Sequence, residues 1–287
     1  VYVSVDALVP VADAAGAPHP VFGFLAERQG TKDGKHRVRA ARLRGVFSMG
    51  LLVPMRGEWI GIGWNVGDDV ASALGVTKYE PPEPPANAEP CPPTLPTFTD
   101  IDGLRRWPEV LREGDGVVVT EKVHGVNARF AWHEGRLWCG SHKQMMARHS
   151  TSPWWTAATK YDLEARLQAL PDVMLVCEIY GSLRSQGIDL SYGCDGEVRM
   201  VVVDAFDVRA QRYMDWRSVK EVAERVGVPL VPVLYEGPWS STLAALAEGK
   251  TTLSGNHVRE GIVVRSVVER FDDRVGRVVL KLHGEGF

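Results

Sequence analysis

The chain has 287 residues, 45% of them hydrophobic and 24% charged, the balance of an ordinary globular protein, which excludes a disordered chain or a fibrous repeat. Its formal net charge of −3 supplies no overall field that would draw in a polyanion, so any nucleic-acid surface has to be a local patch. Cys91, Cys139, Cys177 and Cys194 form no CxxC pair, which argues against a zinc knuckle or a disulfide framework and for reduced, mostly buried thiols. No apolar run approaches the roughly 18 residues of a membrane span and no basic segment leads into an apolar start, so the expectation is a cytoplasmic protein.

The chain opens on Val1 inside the strand-like run VYVSVDALVP, without a Met or a polar lead-in, and the front of the first domain is expected to be missing. Short β-like runs follow at Arg37–Leu43, Gly50–Pro54 and Trp59–Trp64, separated by Gly-containing turns, and predict a small, incomplete β-barrel over residues 1–78. Between Arg28 and Arg44 stand seven Lys/Arg and one Asp, including Arg37, Arg39, Arg42 and Arg44, the pattern of either a solvated loop or a surface that tracks phosphates. Residues 79–98 hold eight of the eighteen prolines and read as an extended linker. Beyond it, over residues 99–287, strands are expected at Val117–Lys122, Asn127–Trp132 and Arg136–Gly140, then a helix over Trp154–Leu170. Strands at Val173–Tyr180 and Met200–Val208, a helix at Trp216–Val226, a strand at Leu230–Tyr235 and a short helix at Ser241–Gly249 come next. Strands at Gly261–Val267 and Arg277–Leu282 close the series. Three strands in a row followed by mixed elements predict an α+β fold with antiparallel sheets and flanking helices, not a doubly wound βαβ fold.

Five segments place a polar group in or beside a β-branched run. In Thr120-Glu121-Lys122-Val123-His124-Gly125-Val126-Asn127 a lysine ends a strand, and Gly125 lets a backbone and a phosphate approach closely. An amine nucleophile has to lose its proton, which a partly desolvated pocket favours. KxxG recurs at Lys281-Leu282-His283-Gly284, so the tetrapeptide alone decides nothing. Glu178 lies in LVCEIYG, Phe206 beside acids in VVVDAFDV, Glu260 opens EGIVVR, and Lys281 ends VVLK. Buried charges are costly unless paired or holding a ligand, and several on neighbouring strands imply one shared polar cleft. The histidines at 124, 133, 142 and 149 fit no common zinc spacing, and Trp154-Trp155 reads as core before it reads as a base-stacking platform.

Lys122 in EKVHG, Glu178 in CEIYG, Phe206-Asp207, Glu260 in EGIVVR and Lys281 in VLKLHG resemble the ordered motifs of covalent nucleotidyltransferases, and specifically of ATP-dependent RNA ligases. EKxHGxN is the discriminating piece, since DNA ligases and capping enzymes usually carry KxDG there. The run RLRGVFSMGLLVP at Arg42–Pro54 resembles the N-terminal OB-fold domain of the Deinococcus-type branch.

The resemblance implies an enzyme that uses ATP and Mg²⁺ or Mn²⁺, becomes adenylated at Lys122, and joins RNA 3′-OH and 5′-phosphate ends, as in a nicked duplex under repair. It implies catalytic roles for Lys122, His124 and Lys281. It also implies an ATP site of Glu121, Lys122, Gly125, Asn127, Lys143, Glu178, Phe206, Glu260 and Lys281, with Phe206 stacked on adenine and Glu178 on a ribose hydroxyl. Glu260 and Asn127 would hold the metal, and Arg37, Arg39, Arg42 and Arg44 the nucleic acid. Two departures stand out: His283 occupies the place where the family often has a second lysine, and Ser141-His142-Lys143 replaces Ser-Arg or Ser-His-Asn. The chain stops six residues after Lys281, so a C-terminal extension is also expected to be missing. A capping-type guanylyltransferase and a catalytically inert OB-fold nucleic-acid-binding protein are the alternatives, and a monomer is expected.

Overall fold

The computed structural model describes residues 2–4, 8–9, 19–20, 22–25, 31–32, 34–38, 41–43, 46–48, 53, 63–77, 88–97, 100–142, 144–148, 152–183, 186–188, 190, 192–194 and 196–287. The chain divides into two compact units, Val1–Glu83 and Pro84–Phe287.

In the first unit the described strands are β1 (Tyr2–Ser4), β2 (Leu8–Val9), β3 (His19–Pro20), β4 (Thr31–Lys32), β5 (Lys35–Arg37), β6 (Ala41–Leu43), β7 (Val46–Ser48) and β8 (Val76–Thr77). A four-stranded sheet runs β4-β5-β1-β8, and β2-β3 and β6-β7 form two-stranded ribbons. Among the described residues, Val3, Phe22 and Leu25 form a buried apolar cluster, with Val38, Trp64 and Val76 packed against it. The continuous strand expected at Arg37–Leu43 is two strands, one ending at Arg37 and the next starting at Ala41. Most of Gly50–Pro54 and Trp59–Trp64 lies outside the described residues, as do Arg39 and Arg44.

The second unit is built from β9 (Ala88–Glu89), β10 (Asp102–Gly103), β11 (Gly116–Lys122), β12 (Val126–His133), β13 (Arg136–Gly140), β14 (Met145–Met146), β15 (Val173–Gly181), β16 (Val198–Asp207), β17 (Arg212–Tyr213), β18 (Val233–Pro238), β19 (Gly261–Ser266), β20 (Phe271–Asp272), β21 (Gly276–Arg277) and β22 (Val279–His283). Its helices are α1 (Pro153–Lys160), α2 (Leu163–Gln168) and α3 (Trp216–Val226). A seven-stranded sheet has the order β17-β16-β15-β12-β13-β14-β9 and a five-stranded sheet the order β10-β22-β19-β11-β18. All pairings in both are antiparallel except β10 with β22. This is the α+β architecture with antiparallel sheets and few helices that the strand pattern predicts.

Strand alternation decides what the five-stranded sheet offers to each side. Val117 and Val119 of β11, Ile262 and Val264 of β19, and Leu280 and Leu282 of β22 share one core cluster with Leu104, Trp107, Leu111 and Trp239. The intervening Thr120, Lys122, Val263, Arg265, Val279 and Lys281 line a cavity. On β15 of the other sheet, Leu175, Cys177 and Ile179 join the cluster that holds Trp154, Leu163, Leu167 and Trp216 of the helices. That alternation leaves Glu178 for the cavity.

Three elements differ from expectation. The helix over Trp154–Leu170 is broken between α1 and α2, where Asp162 takes φ 51° and cannot continue a right-handed turn. The segment Ser241–Ala247 is a 3₁₀ helix and not an α-helix. The strand expected at Leu230–Tyr235 begins only at Val233. Within the proline-rich stretch, Ala88–Glu89 pairs with β14, and Leu95 is buried beside Trp138 and Met174. Arg129, itself fully buried, reaches this stretch by donating to the Pro96 carbonyl. Cys139, Cys177 and Cys194 are free and buried, and Cys91 is free and half-buried.

Candidate active site

A cavity of about 260 Å³ lies between the two sheets of the second unit, and among its lining residues are Lys122, Asn127, Glu178, Val203, Val263 and Lys281. Lys122 is the last residue of β11, and Glu260 immediately precedes β19. Register sets them side by side, because Lys122 pairs with Gly261. Lys122 Nζ donates to Glu260 Oε1 at 2.6 Å. The same carboxylate stands 3.4 Å from His124 Nδ1 through Oε2 and 3.5 Å from His283 Nε2 through Oε1. Lys281 pairs with Val263, on the far side of β19 from β11. Nucleophile candidate, carboxylate and second lysine therefore come from three adjacent strands.

Gly261 is forced by this arrangement. A Cβ there would meet the Leu282 carbonyl oxygen at 2.0 Å. Gly125 plays the corresponding part on the other sheet, where a Cβ would sit 2.1 Å from the Ile179 carbonyl oxygen and 3.2 Å from Glu178 Cγ. The glycine of the EKVHG motif thus lets the lysine-bearing turn lie directly on β15, beside Glu178.

Glu178 pairs across the sheet with Asn127. Burial pushes its carboxyl up to about 8; Lys122 opposes that shift, Glu260 adds to it, and the Gly125 backbone N–H opposes it. His283 is shifted the other way: burial lowers its pKa first, and Lys122 and Lys281 add to the effect, so it carries little charge near neutral pH. Asn127 Oδ1 and Glu260 Oε2 are buried oxygens with no hydrogen-bond donor. The Asn127 main chain is held by Trp154, whose Nε1 donates to its carbonyl at 2.9 Å.

The structure corrects two expected contacts. Phe206 does not line the cavity; it is 4% exposed, in a cluster with Leu95, Trp138 and Met174, and meets Tyr213 edge-on at 5.1 Å. Phe206 shares a face of β16 with Asp204 but pairs with Met174, two pleats along β15 from Glu178; a bulge between them, with Val176 paired to Asp204 and Cys177 to Val202, leaves Val203 as the extra residue. Val203 and Asp204 line the cavity instead. Glu121 borders the cavity, but its carboxylate is engaged elsewhere. It accepts from Thr251 Oγ1 at 2.5 Å, Thr252 N at 2.7 Å and Thr252 Oγ1 at 2.6 Å. His124 is beside Glu260 but not among the cavity-lining residues, and its backbone N–H donates to the Tyr192 hydroxyl at 2.7 Å. Lys143 lies outside the described residues, whereas its neighbour His142 lines the cavity and pairs with Asp100 at 3.4 Å. Arg37 ends β5 and Arg42 is central in β6, both in the first unit.

Sequence reasoning did not single out Asp204, Arg265 and Arg277, which also line the cavity, or Tyr192. A charge in the apolar run GIVVRS was the available signal for Arg265.

A sequence model of the RNA ligase family matches residues 115–283, more than half of the chain. The chain belongs to the RNA ligase family. The matched span holds Lys122, Glu178, Glu260 and Lys281. No curated protein sequence matches. Among solved structures, the fold of this RNA ligase is similar to that of the Naegleria gruberi RNA ligase with PPi, at TM-score 0.58 and 24% identity over 88% of this chain and 77% of that one. Two substituted forms of the Naegleria enzyme are similar too. One, with ATP and Mn, has TM-score 0.61 and 21% identity over 99% and 84% of the two chains. The other, with AMP and Mn, has TM-score 0.60 and 21% identity over the same shares.

Proposed function

We propose that this RNA ligase uses ATP to join RNA 3′-OH and 5′-phosphate ends through a lysyl-adenylate on Lys122. The observation that carries the reading is the convergence of Lys122, Lys281, Glu178 and Asn127, drawn from four strands, around one cavity, with Glu260 holding the Lys122 amine at 2.6 Å. The Lys122 amine attacks the α-phosphorus of ATP, an N–P bond forms, and the bond to the β-phosphate oxygen breaks as pyrophosphate leaves. An oxygen of the RNA 5′-phosphate then displaces the lysine, and the 3′-OH displaces AMP. Each step is an in-line displacement in which positioning and charge neutralisation are the protein's contribution.

Lys281 is placed to meet the α-phosphate oxygens as a point charge. Glu178, whose pKa of about 8 keeps it protonated near neutral pH, offers the ribose both a donor and an acceptor. Val203 of one sheet and Val263 of the other line the cavity and offer aliphatic surface to the base, in place of the expected Phe206. Buried, donor-free Glu260 Oε2 and Asn127 Oδ1 suit a hard divalent cation, Mg²⁺ or Mn²⁺. Among the described residues no group of three His, Cys, Asp or Glu could hold a metal alone, so phosphate and water oxygens would complete its shell. Such a cation neutralises the triphosphate.

For the first unit, the basic stretch with Arg37, Arg39, Arg42 and Arg44 supports an OB-like module of the Deinococcus-type branch that grips RNA, with nicked duplexes under repair as the substrate. The linker boundary at 79–98, a monomeric state and a cytoplasmic site of action complete the proposal. Among the described residues no helix is long and apolar enough to cross a membrane. The test is covalent labelling with α-radiolabelled ATP and Mg²⁺ or Mn²⁺. Wild type becomes labelled, Lys122→Ala does not, and GTP labels poorly; an unlabelled wild type overturns the reading.

A further inference from the structure

Four charged side chains, two buried and two half-buried, cluster where the two sheets meet beyond the phosphate-facing lysines. Asp204 of β16 belongs to the seven-stranded sheet, and Arg265 of β19 to the five-stranded one. Arg265 Nη1 donates to Asp204 Oδ1 at 2.9 Å, and Arg277 Nη2 donates to Asp204 Oδ2 at 2.8 Å. Glu269 completes the set, accepting from Arg277 Nε at 2.6 Å and from Arg265 Nη2 at 3.3 Å. Arg265 Nη2 also donates to the Met214 carbonyl at 3.0 Å, and the Arg277 guanidinium lies 3.4 Å from the centre of the Tyr213 ring. The four side chains are only 4%, 6%, 12% and 13% exposed for Arg265, Asp204, Arg277 and Glu269.

Two arginines and two carboxylates cancel, so this cluster gives the cavity no net field for phosphates. Buried ion clusters contribute little net stability compared with well-packed apolar residues, and their best-attested use is to fix register. What this one fixes is specific, because each arginine bridges groups on different elements. Arg265 is four residues along β19 from Gly261, the partner of Lys122, or about 13 Å at the usual strand rise. The cluster and the Lys122–Glu260 pair therefore stand at two ends of one cavity. Glu178 and Asn127 reach the cavity from the seven-stranded sheet, whereas Lys122, Glu260 and Lys281 belong to the five-stranded one. A nucleotide gripped from both sides is aligned for attack only at one separation of the sheets.

We propose that Arg265 and Arg277 are positioning residues that, by clamping Asp204, fix the spacing of the two sheets and so let Glu178 and Lys122 engage the same nucleotide. This rests on the adenylation reading above. Loosening the clamp lets a nucleotide bind to one sheet or the other without being held in line.

The experiment is single-turnover labelling of Lys122 over a range of ATP concentrations, for wild type, Arg265→Lys, Glu178→Gln and the double variant. Arg265→Lys is expected to lower the saturating rate by roughly tenfold to a hundredfold while the half-saturating ATP concentration moves far less. The deficit persists at temperatures where circular dichroism shows a fully folded protein, which a merely structural role does not predict. In the Arg265→Lys background, adding Glu178→Gln then changes the rate by no more than about twofold, although Glu178→Gln alone is strongly impaired. Glu269→Gln, at the more exposed rim, gives the same pattern with a smaller amplitude and keeps the test open if Arg265→Lys does not fold. Fully additive effects, or a rate that recovers with folding, overturn the clamp while leaving adenylation intact; failure of wild type to label overturns the parent reading instead.

Discussion

Around Lys122 the two sheets that enclose the cavity treat charge differently. On the five-stranded side Glu260 stands within 3.5 Å of Lys122, His124 and His283. On the seven-stranded sheet Glu178 forms no salt bridge among the described residues, and burial drives its carboxyl toward the neutral form. At the Lys122 end one wall is therefore a polar, ion-paired surface suited to phosphate oxygens and the other, around Glu178, a neutral one suited to a sugar and a base; at the far end Asp204 is ion-paired across the gap to Arg265. The division follows from pairing and burial: a lysine amine lies 2.6 Å from Glu260, whereas burial drives the Glu178 carboxyl toward its neutral form.

The contrast breaks most visibly at Glu260. Glu260→Gln removes the carboxylate that holds the Lys122 amine at 2.6 Å and stands beside His124 and His283, and adenylation measured by labelling is expected to fall by roughly a hundredfold or more. Phe206→Ala tests the placement of that ring. A core position predicts a loss of about 3–5 kcal/mol in denaturant unfolding, with the half-saturating ATP concentration of the surviving folded protein little changed. Gly125→Ala forces a Cβ into the Ile179 carbonyl and is expected to cost about 1–3 kcal/mol of stability, with labelling reduced because the turn lifts off β15.

A further test separates the two glutamates by pH. A carboxyl raised to about 8 in the folded chain, against an ordinary value of 4.5, keeps its proton when the unfolded chain has lost it. Stability therefore falls as pH rises between those values, by up to roughly 1.4 kcal/mol per pH unit for this one group. Glu178→Gln is expected to flatten the slope of melting temperature against pH between about 5 and 8. An unchanged slope would show that Glu178 is ionised in the folded protein.

Much of this site was legible in the sequence, for a physical reason. Lys122, Glu178, Glu260 and Lys281 each interrupt or end a β-branched run, and a polar residue in a buried strand marks a place where something has to satisfy it. Trp154 and Trp155 read correctly as core, being 7% and 8% exposed. Phe206 misled because alternation tells which face a side chain takes but not how far along the strand a cavity extends: it shares a face with Asp204, which lines the cavity, and lies one pleat beyond it against Met174. The clamp of Asp204, Arg265, Arg277 and Glu269 escaped for a different reason: its members are up to 73 residues apart and become a set only when two sheets face each other. Likewise the break between α1 and α2 depends on Asp162 entering a left-handed conformation, to which the apolar periodicity is blind.

The buried carboxylate of Glu121, next to the nucleophile candidate, secures strand register. A slip of β11 by one position would turn Lys122 toward the apolar cluster of Ile262 and Leu280 and swing Glu121 into the nucleotide's path. The three hydrogen bonds from Thr251 and Thr252 attach to a side chain on the opposite face from the amine, so they pin the strand without occupying the space where chemistry happens. The glutamate of the EKVHG motif thus works as a peg behind the wall, and the loop that carries both threonines becomes a remote handle on where the reactive nitrogen can stand.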